Sequence, residues 1–310
     1  MRSIVVASGK GGTGKTTLSA LFARLASEHM TVVVVDGDVE ASNLPLALRA
    51  TDSSCSAFPG GARAVIDAEL CTGCGVCMQV CRFQAISRSA AGVCVVDRFA
   101  CEGCGCCAAL CPNGAAVMTP STAGEACLGR SDVGPIAYGR LGPGEDLSGR
   151  LVTEVRLLGS QAAERQGADV VLIDGPPGIG CPLVAAIAST DLVIAVAEPT
   201  VSGAHDLGRL ADVAARLGLP MRVVLNKADL SLDGASEVRD LCASRGLTLL
   251  GEVPFDEALA DVNGAGLAET RTFTATSAPG MRAVASVWQA LGCELGLQTR
   301  TAGPQRQMIE

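Results

Sequence analysis

The chain has 310 residues, enough for one large α/β domain and a smaller companion, and 48% of them are apolar, ample for a core. A net charge of −8, with only 24 Lys and Arg that are scattered rather than clustered, argues against a nucleic-acid surface. No apolar run approaches the roughly 18 residues that span a bilayer, and MRSIVVASGK lacks a signal-peptide layout, so a cytoplasmic protein without membrane attachment is expected.

In chain order, short β-branched runs alternate with helical patterns. Strands are expected at 4–7, 32–35, 170–173, 192–196, 222–225 and 247–250, and helices at 16–28, 182–189, 204–217, 235–245 and 280–295. Strands that are apolar throughout, separated by helices, indicate an α/β fold with a mostly parallel sheet covered by helices on both faces. Residues 55–120 break this rhythm: they are cysteine-rich, hold only short apolar runs and carry an internal repeat. They are expected to form a small domain inserted between a first part of the large domain (1–54) and a second part (121–300). The Gly/Pro-rich stretch 129–150 is expected to be the returning loop, and 301–310 a polar, frayed tail.

GKGGTGKT, residues 9–16, lies directly between an expected strand and an expected helix. It satisfies G-x-x-x-x-G-K-[ST]. Gly9, Gly11, Gly12, Thr13 and Gly14 can turn backbone N–H groups toward phosphates, Lys15 neutralises their charge, and Thr16, followed by Thr17, can hold Mg²⁺ with its hydroxyl. Two strands then end in aspartates: VVVVD in Asp36, with Asp38 two residues on, and VVLID in Asp174, followed by the glycine-rich stretch 175–180. Carboxylates at the carboxyl ends of parallel strands lie beside the phosphate loop. VVLNKAD places Asn226, Lys227 and Asp229 after another strand.

The second lysine of the loop, Lys10, together with these aspartates and EPTVSGAHDLGRL, resembles the MinD and ParA group of deviant P-loop ATPases. That group also includes the nitrogenase iron protein and Mrp-type cluster carriers. The resemblance covers nearly the whole chain. It implies that Lys10 reaches a partner subunit's nucleotide across an ATP sandwich dimer, either a homodimer or a heterodimer with a related ATPase. It also implies that Asp36 and Asp174 join Thr16 around Mg²⁺, that Asp38 orients the attacking water, and that 175–180 is a flexible switch. Asn226 and Lys227 are implied at the adenine, and Asp229 completes the N-K-x-D tetrapeptide. The amphipathic membrane-targeting helix of MinD has no counterpart here.

Cysteines 71, 74, 77 and 81 recur thirty residues later as 101, 104, 107 and 111, each run reading C-x₂-C-x₂-C-x₃-C and the second followed by Pro112. In a reducing compartment an ordered pattern of this kind points to metal. The spacing is that of bacterial-type ferredoxins with two 4Fe–4S clusters, whose fourth cysteine ligates the other cluster. Crossed ligation is therefore expected: Cys71, Cys74, Cys77 and Cys111 on one cluster, and Cys101, Cys104, Cys107 and Cys81 on the other. Zinc is the alternative, but its sites use two cysteine pairs with a longer spacer. Arg82 stands where a proline follows the second run. Cys106 reads as a bystander thiol that could substitute as a ligand, and Cys55, Cys94, Cys127, Cys242 and Cys293 as small buried apolar residues. Cys181, at a helix start after Asp174, is either structural or, by resemblance to the nitrogenase iron protein, a ligand of a bridging cluster. The expected activity is slow, partner-stimulated ATP hydrolysis coupled to electron transfer or to iron–sulfur or metal-cofactor assembly, with a redox or assembly protein as partner. The alternative is a nucleotide-switched scaffold whose clusters are structural.

Overall fold

The computed structural model describes residues 1–260 and 278–296; the tail 301–310 lies outside the described residues. The chain divides into two compact units. The first comprises Met1–Cys55, Ala126–Arg140 and the chain from Ser148 onward, and the second Ser56–Glu125 with Leu141–Leu147.

In the first unit, β1 (Arg2–Ser8) lies between β8 (Val170–Pro177) and β9 (Leu192–Ala197), and β2 (Val32–Asp36) pairs with the far side of β8. All these pairings are parallel, with Val5 opposite both Ile173 and Val193, and Asp36 opposite Asp174. Beyond β9 come β10 (Met221–Asn226) and β11 (Thr248–Val253), also parallel. Ile4 to Ala7 and Val32 to Val35 are essentially solvent-free, which is why these strands lack a polar face. The covering helices are α1 (Lys15–Ser27), α5 (Ser148–Gln166), α6 (Cys181–Ile187), α7 (Val201–Arg216), α8 (Leu232–Arg245) and α10 (Pro279–Leu295). Phe22 of α1 stacks on Trp288 of α10 with ring centroids 5.5 Å apart, and the N-cap hydroxyls of Thr200 and Ser231 accept from Gly203 N and Gly234 N to start α7 and α8.

The sheet continues from β2 through β7 (Gly134–Leu141) and β6 (Ala116–Ser131) to β3 (Thr51–Ile66). This corrects the sequence reading of 129–150 as a loop. Ser131 and Gly134 close a tight β6–β7 hairpin, β7 pairs in parallel with β2, and α5 begins at Ser148. The glycines there serve packing as well as turning: a Cβ on Gly139 would lie 2.9–3.0 Å from Val155, Leu151 and Val39, so its absence lets α5 close on the strand. β3 escapes sequence reading because most of its residues are exposed, and an edge strand with few inward side chains shows little apolar alternation. Cys55 and Cys127, expected as separate buried residues in a reduced chain, instead form a disulfide between the neighbouring strands β3 and β6. Their Cα atoms, 4.1 Å apart, bring the two thiols together.

The second unit contains α3 (Val76–Val80), the antiparallel pair β4 (Ile86–Arg88) and β5 (Cys94–Val96), and α4 (Cys106–Ala109). The repeat is visible in its geometry. Gly75 and Gly105 take φ of 80° and 79° to start α3 and α4 at equivalent points of the two cysteine runs. Its small core is built from Ala64, Ile86, Ala116 and cysteines. The remaining short helices, α2 (Leu44–Ala47) and α9 (Glu257–Ala260), belong to the first unit.

Candidate functional site

At the carboxyl end of β1 a cavity of ≈ 660 Å³ is lined by Lys10 through Leu18, Asp38, Asn226, Lys227 and the segment Pro254–Phe255–Asp256. Gly12 and Gly14 have φ of 81° and 84°, which a side chain would strain, and a Cβ on Gly14 would lie 2.4 Å from Asn226 Nδ2. The loop is braced from below. Asn226 Nδ2 donates to Thr13 O at 2.8 Å, Lys227 Nζ donates to Gly12 O at 2.9 Å, and Ser8 Oγ donates to Lys10 O at 2.8 Å.

Lys15, Asp36 and Asp174 are buried and lie around one centre. Lys15 Nζ and Ser19 Oγ each lie 2.8 Å from Asp174 Oδ1, while Asp174 Oδ2 is buried with no hydrogen-bond partner among the described residues. Thr13 Oγ1 is likewise buried and unpartnered. Asp36 is fully buried; it accepts from Asp38 N at 3.0 Å, Ser42 Oγ at 2.8 Å and Leu44 N at 3.1 Å. Burial first, and the neighbouring Asp174 second, push its carboxyl up to about 7. Burial also raises Asp38. Two carboxylates on adjacent strands, one with an orphaned oxygen, beside the Thr16 hydroxyl, form a hard-oxygen donor set that suits Mg²⁺. Lys10 is turned onto its own chain, 3.1 Å from Glu198 Oε2 and within 3.4 Å of the Thr200 and Ser202 hydroxyls. Glu198 also holds Lys227 at 2.6 Å, and although burial opposes it, these two lysines keep its carboxyl below the usual range. Residues 175–177, expected within a mobile switch, extend β8 as far as Pro177, and Gly178 N donates to Ser8 O at 3.0 Å.

Residues 4–268 match CbiA, the CobQ/CobB/MinD/ParA nucleotide binding domain. The chain belongs to this family. The chain is 33% identical over 235 residues to uncharacterized protein MJ0578 of Methanocaldococcus jannaschii, covering 74% of this chain and 79% of that one. Its fold is similar to that of the septum site-determining protein MinD of Pyrococcus horikoshii, solved with Mg-ADP (TM-score 0.55, 18% identity, 96% of this chain and 98% of that one). It is also similar to the MinC:MinD cell division protein complex of Aquifex aeolicus (TM-score 0.55, 19% identity, 99% of each chain).

The second unit of this nucleotide-binding family member sorts its cysteines into two cavities. One is lined by Cys71, Cys74, Cys77, Cys111 and Cys94, the other by Cys81, Cys101, Cys104, Cys107 and Cys106. The fourth cysteine of each run thus lies with the first three of the other. All eight are free thiols. Backbone N–H groups approach their sulfurs at 3.4 Å, from Cys94 to Cys71 and from Ala85 to Cys81. N–H donors, chiefly from Cys94 and from Ala116, hold the Cys71 and Cys111 thiols below their ordinary range, whereas burial pushes Cys77 up to about 11. Four free thiols per cavity with N–H groups aimed at sulfur suit a thiolate-ligated cubane. Cys94 and Cys106 are a fifth thiol in each cavity; nothing in their sequence surroundings marks Cys94, which reaches the site because β5 places it there. Cys181 is exposed at the start of α6. Sequence reasoning also missed Ser19, Ser42 and Glu198. Ser19 was detectable, since it follows Lys15 by one helical turn and so shares its face.

Among the described residues no helix is long and apolar enough to cross a membrane.

Proposed function

We propose that this chain is an ATP-binding and ATP-hydrolysing iron–sulfur protein in which the second unit is an inserted ferredoxin-like domain holding two 4Fe–4S clusters. ATP-dependent dimerisation is coupled to electron transfer or to iron–sulfur or metal-cofactor assembly. The observation that carries the reading is the sorting of the repeat cysteines into two cavities with the fourth cysteines exchanged, in a chain that also holds a complete phosphate loop.

In this reading the backbone N–H groups of 11–16 bind the β- and γ-phosphates of ATP and Lys15 leaves Asp174 to neutralise them. Thr16, Asp36 and Asp174 hold the Mg²⁺ shell, where the cation supplies charge neutralisation of the phosphates. Asp38 orients a water for in-line attack on the γ-phosphorus; the bond from that phosphorus to the β–γ bridging oxygen breaks, leaving ADP and phosphate. Lys10 leaves Glu198 and reaches the partner subunit's nucleotide, so the second subunit completes each site. Cys71, Cys74, Cys77 and Cys111 hold one cluster, and Cys101, Cys104, Cys107 and Cys81 the other; when bound, these clusters accept and pass single electrons. The P. horikoshii relative solved with Mg-ADP supports the nucleotide, and the MinC:MinD complex supports a protein partner for the dimer.

The test is anaerobic purification followed by iron and sulfide counting and an ATPase assay. About eight iron and eight sulfide per chain, with phosphate release that Lys15→Ala abolishes, agree with the reading. Stoichiometric zinc, or no nucleotide hydrolysis by the fully loaded protein with candidate partners, contradicts it.

A further inference from the structure

The two cysteine cavities are one plan used twice. Residues lining the first, which holds Cys71, have counterparts thirty positions away lining the second: Cys71 and Cys101, Cys111 and Cys81, Ala115 and Ala85. The plan is broken at a buried position. Cys94, 2% exposed, lines the first cavity where Ala64, 6% exposed, lines the second. Side chains alternate along a strand, so with Val95 exposed β5 turns Cys94 inward.

Cys94 meets the sulfurs of its cavity in two ways. Its backbone N–H donates to Cys71 Sγ at 3.4 Å, and its thiol hydrogen-bonds with the Cys71 and Cys77 thiols. A cubane takes four thiolates, which Cys71, Cys74, Cys77 and Cys111 supply, so Cys94 is left over as an S–H donor. One-electron reduction adds negative charge to a cluster and its thiolates. A hydrogen bond to sulfur therefore favours the reduced state and raises the potential, most of all where the donor is buried and solvent does not compete. Ala64 offers no donor. Cys106, the fifth thiol of the second cavity, is exposed, and water can replace the hydrogen bond it makes.

We infer that Cys94 tunes one cluster and not the other: acting through the sulfurs of Cys71 and Cys77 as a positioning residue, its buried S–H raises the potential of the cluster in the first cavity and draws a shared electron toward it. This rests on the two-cluster reading above and gives its electron transfer a direction. Each cluster takes up one electron from its reductant, and no bond forms or breaks.

The experiment is EPR-monitored redox titration, with dithionite as reductant, of the anaerobically purified full-length protein, with iron and sulfide counted on every sample. Cys94→Ala is expected to keep about eight iron per chain. It weakens reduction of one cluster about tenfold, a fall of about 59 mV for one electron, and leaves the other within about twofold. Cys94→Ser, whose hydroxyl also donates, restores most of that loss. Ala64→Cys installs the missing donor and raises the potential of the cluster that Cys94→Ala leaves alone. Cys106→Ala leaves both within about twofold. The inference is overturned if Cys94→Ala moves neither potential or both alike, or if it loses about half the iron, which would make Cys94 a ligand. It is equally overturned if Cys94→Ser is as low as Cys94→Ala, if Ala64→Cys moves the same cluster as Cys94→Ala, or if Cys106→Ala has as large an effect. A wild type without two 4Fe–4S clusters refutes the cluster reading itself, a distinct result.

Discussion

Asp36 carries a cost that changing pH exposes. Its carboxyl is fully buried beside Asp174, and its ionisation is displaced from 3.8 to about 7. Below its unfolded value both states are protonated and nothing is lost. As pH rises the unfolded chain ionises first, so stability falls until the folded group ionises near 7 and then levels off. Between about pH 5.5 and about pH 8 this single group removes about 2 kcal/mol. Asp36→Asn cancels that pH-dependent part. It also places an amide N–H₂ against donors that now point at a carboxylate, Asp38 N, Ser42 Oγ and Leu44 N. That is a pH-independent loss of about 1–3 kcal/mol. Only the difference between the two pH values is diagnostic. The assay is urea unfolding of the nucleotide-free protein and the variant at both pH values, with cluster content matched. The variant is expected to gain about 2 kcal/mol on the wild type in going from acid to alkaline pH. Parallel profiles for the two proteins would show that the Asp36 carboxyl is not perturbed and would refute the buried-pair argument.

Other outcomes follow from the same geometry. Lys10→Ala is expected to leave nucleotide affinity within about threefold, because Lys10 is held by Glu198 of its own chain and a partly exposed pair of this kind is worth about 1 kcal/mol or less; ATP-dependent dimerisation is lost, as read by analytical ultracentrifugation. Gly14→Ala strains a φ of 84° and drives a Cβ to 2.4 Å from Asn226 Nδ2, so nucleotide binding falls at least about tenfold, while iron content does not change. Cys111→Ser and Cys81→Ser each impair one cluster. The crossing predicts that Cys111→Ser pairs in phenotype with Cys71→Ser, and Cys81→Ser with Cys101→Ser, when the residual cluster signals are compared by EPR. A pairing of Cys81→Ser with Cys71→Ser would overturn the crossed assignment.

The parallel core was legible because strands buried on both faces must be apolar along their whole length; 32–35 and 192–196 declare themselves in that way. The phosphate loop was legible because its glycines and Lys15 answer to one chemical demand at fixed spacing, and the repeated cysteine spacing was legible as one motif occurring twice, its fourth cysteines lying with the first three of the other run. The strands β3, β6 and β7 were not. β3 is mostly exposed at the sheet edge, β6 mixes exposed and small buried residues, and buried β7 is broken up by glycines such as Gly139 that serve close packing and read as turns. Glu198, which gathers Lys10 and Lys227, was invisible because its role depends on β9 lying beside β1, a tertiary fact with no local signature. Cys94 is buried, as the sequence reading expected, but its place beside Cys71 depends on β5 in the same way, and the Cys55–Cys127 bond depends on two strands that meet across 72 residues of sequence.

The central claim, that nucleotide state reaches the clusters, is tested most directly by EPR-monitored redox titration of the anaerobically prepared protein with and without MgATP or a non-hydrolysable analogue, with oligomeric state measured on the same samples. The account predicts that the nucleotide produces a dimer and shifts the midpoint potential or line shape of at least one 4Fe–4S signal, and that Lys10→Ala removes both changes. Identical potentials, signals and oligomeric state in protein shown to have bound nucleotide would contradict it.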